Sequence, residues 1–298
     1  MGLVGGITTF RHEVSPGSAR LIYGNDAGRV NNSGQHRQLT RLRKQALPPA
    51  DPRATELADQ VNRLGYALVD PAYPAGLIDE IRDGFERVII DPHACVDMGS
   101  RIKDVVRYVK DPARRVPAVR RVVTPPVADV LQVVYGGHWK ILHARMWRIG
   151  YLPPAERAFH HYGNLWHCDQ HPITTLKLFV QLSDGVSDEA GAFRFHDVPS
   201  TRLIMRAGYL GTGRPLSGPA RRLAEDPRRI NLFDAPAGQA GFCNTTRCLH
   251  RAGVPLREGA TRGMLQVTFG LATERQPAGA DPFARLPFDA NTVEGRFA

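Results

Sequence analysis

The chain has little of several things that would otherwise decide its class. Only four of its 298 residues are cysteine: Cys95, Cys168, Cys243 and Cys248. None belongs to a CxxC pair, and Cys243 and Cys248 lie five apart inside one expected strand. That spacing suits neither a disulfide framework nor a zinc knuckle, and reduced thiols are expected. No stretch approaches the roughly 18 consecutive apolar residues that a membrane span requires. GxGxxG and GxxxxGK[ST] loops are missing, which disfavours dinucleotide and P-loop chemistry. HExxH is missing too, and there is no internal repeat. The N-terminus reads MGLVGGITTFRHE, with no basic segment before its apolar residues and Gly6 where a myristoylation signal needs Ser or Thr. A cytoplasmic protein is expected from this.

What is present is ordinary for a folded protein. An apolar fraction of 42% with 23% charged residues excludes wholesale disorder and a coiled coil. The length permits a core that needs no disulfide or metal. The net charge of +10 is regional: residues 1–50 hold seven Lys or Arg against two acids, and residues 101–121 hold eight against two. Either segment is a solvated face or a dock for an anionic partner, such as nucleic acid, a coenzyme A thioester or an acidic carrier protein. No helix-turn-helix, zinc finger or RNP-like pattern supports nucleic acid.

Residues 1–50 are polar, rich in Gly and Asn, and lack periodicity; they read as an arm or lid. Asp51-Pro52 then opens a helix with Leu57, Val61 and Leu64 on one side and Gly65 as its stop. GYALVD (65–70) suits a strand, 75–90 a helix carrying Leu77, Ile81, Phe85 and Val88, and 126–135 a third helix. From Trp139 the pattern changes to short β-type segments: WKILHARMWRI, TTLKLFVQL, AFRFHDV, INLFDA, AGFCNTT and RGMLQVTFGL. Antiparallel strands without intervening helices argue for a closed sandwich or jelly roll. The expected organisation is an arm (1–50) followed by one domain (51–298) with a helical part (51–138), a jelly-roll core (139–275) and a tail (276–298). Residues 200–228, broken by Gly and Pro, read as a long excursion across a site mouth.

The strongest local signal is Trp166-His167-Cys168-Asp169-Gln170. Residues i and i+2 of a strand share a face, so His167 and Asp169 converge while Cys168 points away. His250, 81 residues beyond Asp169, is the candidate third ligand of a two-histidine, one-carboxylate triad, which holds Fe(II) and leaves positions open. A loop after His250 leads to Arg262 at the start of a strong strand, where a planar guanidinium suits a carboxylate.

These residues resemble the Fe(II)/2-oxoglutarate-dependent oxygenases, specifically the phytanoyl-CoA dioxygenase-like branch. GYALVD with YPAGLIDEIRDGFERVI, WHCDQHP, DEAGAFRFHDVPS and CLHRAGVPLREGATRGMLQVTF are similar to successive motifs of that branch and bracket roughly residues 60–271. The resemblance implies a mainly β fold, a double-stranded β-helix (jelly-roll, cupin-like) core with N-terminal α-helices. It implies that His167, Asp169 and His250 bind Fe(II), that Arg262 pairs with the far carboxylate of 2-oxoglutarate, and that Asn164 makes a polar contact to this cosubstrate. Where many members carry a small hydroxyl residue two positions after the distal histidine, this chain has Ala252. A second anchor must come from elsewhere, Thr174 or Thr175. The implied reaction consumes O2 and decarboxylates 2-oxoglutarate to succinate and CO2 while hydrogen is abstracted from a small-molecule substrate. That substrate is free or tethered to coenzyme A or a carrier protein. Family halogenases replace the carboxylate ligand; Asp169 is retained here, so hydroxylation, desaturation or ring formation is expected.

Plainer readings stand beside these. His167 suits a core histidine, Asp169 a cap, Asn164 a loop former and Arg262 a salt bridge. Arg145, Trp147 and Lys177 fall in strands that line the expected barrel mouth, as substrate contacts or as packing. His160, His161, His171 and His196 around the HxD segment would suit a zinc hydrolase, although no general-base Glu sits beside them. Trp166 reads as packing.

Overall fold

The computed structural model describes residues 41–42, 51–97, 102–159, 161, 163–169, 171–183, 189–209, 216–234, 236–277, 279–284 and 286. The expected arm (apart from 41–42), the end of the tail, His160 and Gln170 lie outside these residues.

The first helix begins as its sequence dictates. The Asp51 side chain accepts from the Arg53 amide and Pro52 occupies the first turn of α1 (Pro52–Leu64). Gly65 closes it with φ +86°, its amide donating to Val61. A side chain here would be strained by that φ, and a Cβ would stand 2.4 Å from Cys248 Sγ. Next come α2 (Leu77–Ile89), the single turn α3 (Pro112–Arg115) and α4 (Pro125–Tyr135). The apolar stripes of the three longer helices, including Leu57, Val61, Ile81, Phe85, Val130 and Leu131, are buried together.

Ten strands among the described residues form two antiparallel sheets. They are β1 (Tyr66–Val69), β2 (Cys95–Asp97), β3 (Val106–Val109), β4 (Trp139–Gly150), β5 (Leu176–Gln181), β6 (Phe193–Phe195), β7 (Asn231–Phe233), β8 (Ala240–Cys243), β9 (His250–Arg251) and β10 (Thr261–Leu271). The major sheet has the order β1-β8-β5-β10-β4-β3-β2 and the minor sheet β7-β6-β9. Alternation along β5 and β10 sorts their residues between two cores. Leu176, Leu178, Val180, Leu265, Val267 and Phe269 pack against the helices. Residues one position along face the minor sheet: Phe179 stacks on Phe193 at 4.8 Å, and Tyr66 of β1 meets Phe195 edge-on at 4.8 Å. Two facing antiparallel sheets with helices on one outer side make the expected jelly roll with flanking helices.

Several local expectations change. The strand expected at 65–70 is β1, but the part before residue 139 is less helical than expected, because β2 and β3 add two further strands at the other end of the major sheet. Among its described residues, the excursion 200–228 holds no strand but is more regular than expected: it carries α5 (Val198–Arg206), α6 (Gly218–Ala224) and a 3-10 turn at Pro227–Arg229. Asp197 caps α5 by accepting from the Ser200 amide. Cys243 and Cys248 do not share a strand, since β8 ends at Cys243 and a turn intervenes; both are buried free thiols, and mutual contact followed by burial holds the Cys243 thiol well above its ordinary pKa. Within the basic run, Arg107 approaches Asp104, Arg120 pairs with Asp281 and Arg121 with Glu80. At least three of its eight charges are thus met within the fold.

Candidate metal centre

His250 is the first residue of β9, and its register partner on β6 is Phe195. On its other side it bridges His167, each amide donating to the other's carbonyl at 2.9 Å. The HxD segment is therefore a single β-bridge rather than a regular strand. Its extended backbone still brings i and i+2 together, because the Asp169 amide donates to Thr245 O at 3.0 Å. Asp169 Oδ1 lies 3.7 Å from His167 Nε2 and 3.8 Å from His250 Nε2. The ligand atoms of these three side chains all fall within 4.8 Å of one another, the geometry of a shared ion.

The tautomers follow from the other ring nitrogens. His167 Nδ1 is 2.8 Å from Leu165 O, and His250 Nδ1 is 3.0 Å from Cys248 O. A carbonyl can only accept, so each Nδ1 carries the hydrogen and each Nε2 presents a lone pair. Burial, then the neighbouring His167, pushes the His250 pKa down to about 3, leaving it neutral and able to ligate. Burial alone would raise the Asp169 carboxyl, but Lys177, with His250 and His167 behind it, more than reverses this and holds it well below the usual carboxylate range. An anionic oxygen and two imidazole lone pairs are a donor set that fits Fe(II).

Arg262 lies on the face of β10 that looks toward the minor sheet, opposite Ile149 of β4. It is 1% exposed, and its Nε and Nη1 have no hydrogen-bond partner. Burial lowers its pKa to about 10, a shift that Tyr108 partly offsets, so the guanidinium stays charged at neutral pH. A buried, unpaired cation is costly, and an anionic ligand would relieve the cost. Trp147 is not at a mouth: it stacks on Tyr108 at 5.5 Å and its Nε1 is buried without a partner. Gln181 Oε1 is buried and unpartnered as well. Arg145, partly buried, shares this face opposite Gln266.

Other expected residues are placed differently. The Asn164 side chain is spent on its own loop, accepting from the His161 amide and donating to Arg157 O and Phe159 O, so it has no donor left for a cosubstrate. Lys177 does not reach outward for substrate; its ammonium lies 2.5 Å from Asp169 Oδ2. Thr174 is buried, with its carbonyl accepting from the Tyr135 hydroxyl, whereas Thr175 Oγ1 is buried and unpartnered. His161 sits by Glu156, His196 Nε2 donates to Ala224 O at the end of α6, and His171 faces His143, so they form no second cluster among the described residues. Thr245, which the motifs did not single out, donates to Asp169 Oδ2. Ala252 is followed by Gly253, where a Cβ would meet Ala192 O at 2.0 Å; the two loops beside His250 touch backbone to backbone.

Solved structures share this architecture. SnoN, a non-haem α-ketoglutarate-dependent epimerase from nogalamycin biosynthesis, aligns with TM-score 0.54 at 22% identity, over 80% of this chain and 91% of its own. This is the fold of non-haem 2-oxoglutarate-dependent enzymes. SnoN has also been solved with Fe3+, α-ketoglutarate and nogalamycin RO, aligning at TM-score 0.51 and 22% identity over 80% and 92% of the two chains. EctD from S. alaskensis, solved with 2-oxoglutarate and 5-hydroxyectoine, aligns at 0.55 with 14% identity, over 78% and 88% of the two chains. No family model and no curated protein sequence matches the chain.

Proposed function

We propose that the protein is an Fe(II)/2-oxoglutarate-dependent oxygenase that oxidises a small molecule, within a single catalytic domain spanning residues 51–298. The observation that carries this is the convergence of Asp169 Oδ1 with two Nε2 atoms whose tautomers already suit a metal. His167, Asp169 and His250 would hold Fe(II). With 2-oxoglutarate and O2, iron in such a site supplies an oxidant for C–H bonds as the cosubstrate becomes succinate and CO2. Arg262 takes the far carboxylate, and its unsatisfied guanidinium supports that role; the Trp147 indole N–H, two residues along β4 from Ile149, the register partner of Arg262, is the donor that replaces the hydroxyl lost at Ala252, whereas Thr175, just before Leu176 that pairs with Phe269, lies toward the other end of β10. Arg145 and His143 occupy the inward face toward the other end of β4 and contact substrate.

Retention of Asp169 supports hydroxylation or another oxidation that begins with hydrogen abstraction, since a carboxylate ligand occupies the place a halide would need. Epimerisation, the activity of SnoN, also requires that a C–H bond be broken. The Arg120 and Arg121 ion pairs weaken the case for a carrier-docking surface, and a free small molecule is the substrate this reading favours.

The test is an anaerobic titration of the Fe(II)-loaded protein with 2-oxoglutarate, following the visible metal-to-ligand charge-transfer band. A band that weakens in both His250→Ala and Arg262→Ala is expected. Folded, iron-loaded protein that develops no band would refute the reading.

A further inference from the structure

Lys177 is the second residue of β5, flanked by Leu176 and Leu178, and is 5% exposed. Burying an ammonium costs several kcal/mol unless a partner compensates it. The partner here is one particular oxygen. Lys177 Nζ and Thr245 Oγ1 both donate to Asp169 Oδ2, each at 2.5 Å, while Oδ1 is the atom turned to His167 and His250. Thr245 holds Asp169 a second time, through the backbone bond from the Asp169 amide to Thr245 O. The two oxygens of one carboxylate are thereby given different work.

We propose that Lys177, assisted by Thr245, is a positioning residue that keeps Asp169 a one-oxygen ligand. It rests on the iron reading above. A carboxylate with both oxygens free can chelate a metal and fill two positions. With Oδ2 committed to an ammonium and a hydroxyl, only Oδ1 is offered, and the positions that a two-oxygen cosubstrate and O2 need stay open. The clamp exists before any metal arrives, so the carboxylate need not be ordered on binding. Lys177 acts through Asp169 and touches no reactant.

The experiment compares wild type, Lys177→Met, Lys177→Arg and Thr245→Val as full-length proteins loaded with Co(II), whose visible absorption weakens as ligands are added toward six. Each is then titrated anaerobically with 2-oxoglutarate as the Fe(II) form. Lys177→Met is expected to show weaker Co(II) absorption and a 2-oxoglutarate Kd raised about 10-fold to 100-fold, the range typical when a group behind a ligand is removed. Lys177→Arg, which restores a cationic donor, is expected to recover most of both signals, and Thr245→Val to move them part of the way. A folded Lys177→Met protein with the wild-type spectrum and Kd overturns the proposal, as does an equal shift in the Met and Arg variants. If Lys177→Met does not fold, Thr245→Val decides by the same two readouts. Wild-type protein that binds neither Co(II) nor Fe(II) would instead overturn the iron reading, and this inference with it.

Discussion

On the helix-packed side of the major sheet, β10 presents Leu265, Val267 and Phe269, each fully buried among apolar neighbours. One position along, the same strand turns Arg262, Gln266 and Thr268 toward the minor sheet, equally buried. On β5, Leu176, Leu178 and Val180 pack on the helices, while Lys177 and Gln181 face the interior of the roll. The outer side stabilises the fold with apolar burial. The outer side leaves the Trp139 indole N–H and the Tyr73 hydroxyl without partners, but the inner side collects more, and charged ones among them: two guanidinium nitrogens, an amide oxygen, an indole N–H and a hydroxyl. Such a concentration is costly to folding and useful to a ligand.

Four changes test how separate the two sides are. The largest effect belongs to the outer side: Phe269→Ala should destabilise the protein by about 3–5 kcal/mol. Metal affinity in the folded variant should stay unchanged, as read by urea denaturation and by metal titration. A large loss of metal affinity in folded protein would show that the sides are coupled. On the inner side, His250→Ala should lower Fe(II) affinity by at least about 100-fold, more than a supporting group would, with little change in unfolding midpoint of the metal-free protein; competition against a chelator measures it.

Arg262→Met tests the claim that the inner side is paid for in stability. Removing an unpaired buried charge should stabilise the cosubstrate-free protein by about 1–3 kcal/mol while the 2-oxoglutarate band is lost. A less stable variant would mean that the guanidinium is satisfied without ligand. The smallest effect is a pH slope. Burial, reinforced by Arg145 and Lys177, pushes the His143 pKa down to about 2. The unfolded chain, with an ordinary histidine near 6.5, binds the proton that the native state refuses, so stability falls as pH drops below about 6.5. His143→Gln should flatten that fall by up to about 1.4 kcal/mol per pH unit. Parallel stability curves for the two proteins between pH 7 and 5 would contradict the assignment.

What could be read in the sequence was what local rules determine. Asp51-Pro52 and Gly65 bound α1, and the alternation of TTLKLFVQL and RGMLQVTFGL marks β5 and β10. The same alternation left the destination of its polar residues open, because a polar face of a strand ordinarily meets water; only closure of the roll buries Lys177 and Arg262. β2 and β3 are three and four residues long and exist because β4 offers β3 an edge and β3 in turn offers one to β2. The α5 start was legible in Asp197 and Pro199 but was outweighed by the glycines that follow. His167, Asp169 and His250 were visible as a spacing and a resemblance. Thr245 was not, since its bond to Asp169 crosses 76 residues. Asn164 was assigned outward by motif, and three loop contacts show it turned to its own backbone.

Trp166, immediately before His167, looks like simple packing until its contacts are followed. Its indole N–H donates to Glu225, its carbonyl accepts from the Tyr209 hydroxyl, and the Arg251 guanidinium lies 4.6 Å above its ring and reaches the same Glu225. Glu225 ends α6, Tyr209 follows α5, and Arg251 follows His250. Two described points of the excursion, Tyr209 and Glu225, are thus tied to the residue before His167 and, through Glu225, to the residue after His250. A load placed on α5 or α6 through Tyr209 or Glu225 would be transmitted, as through a lever with a short arm, to the two rings that would grip an ion.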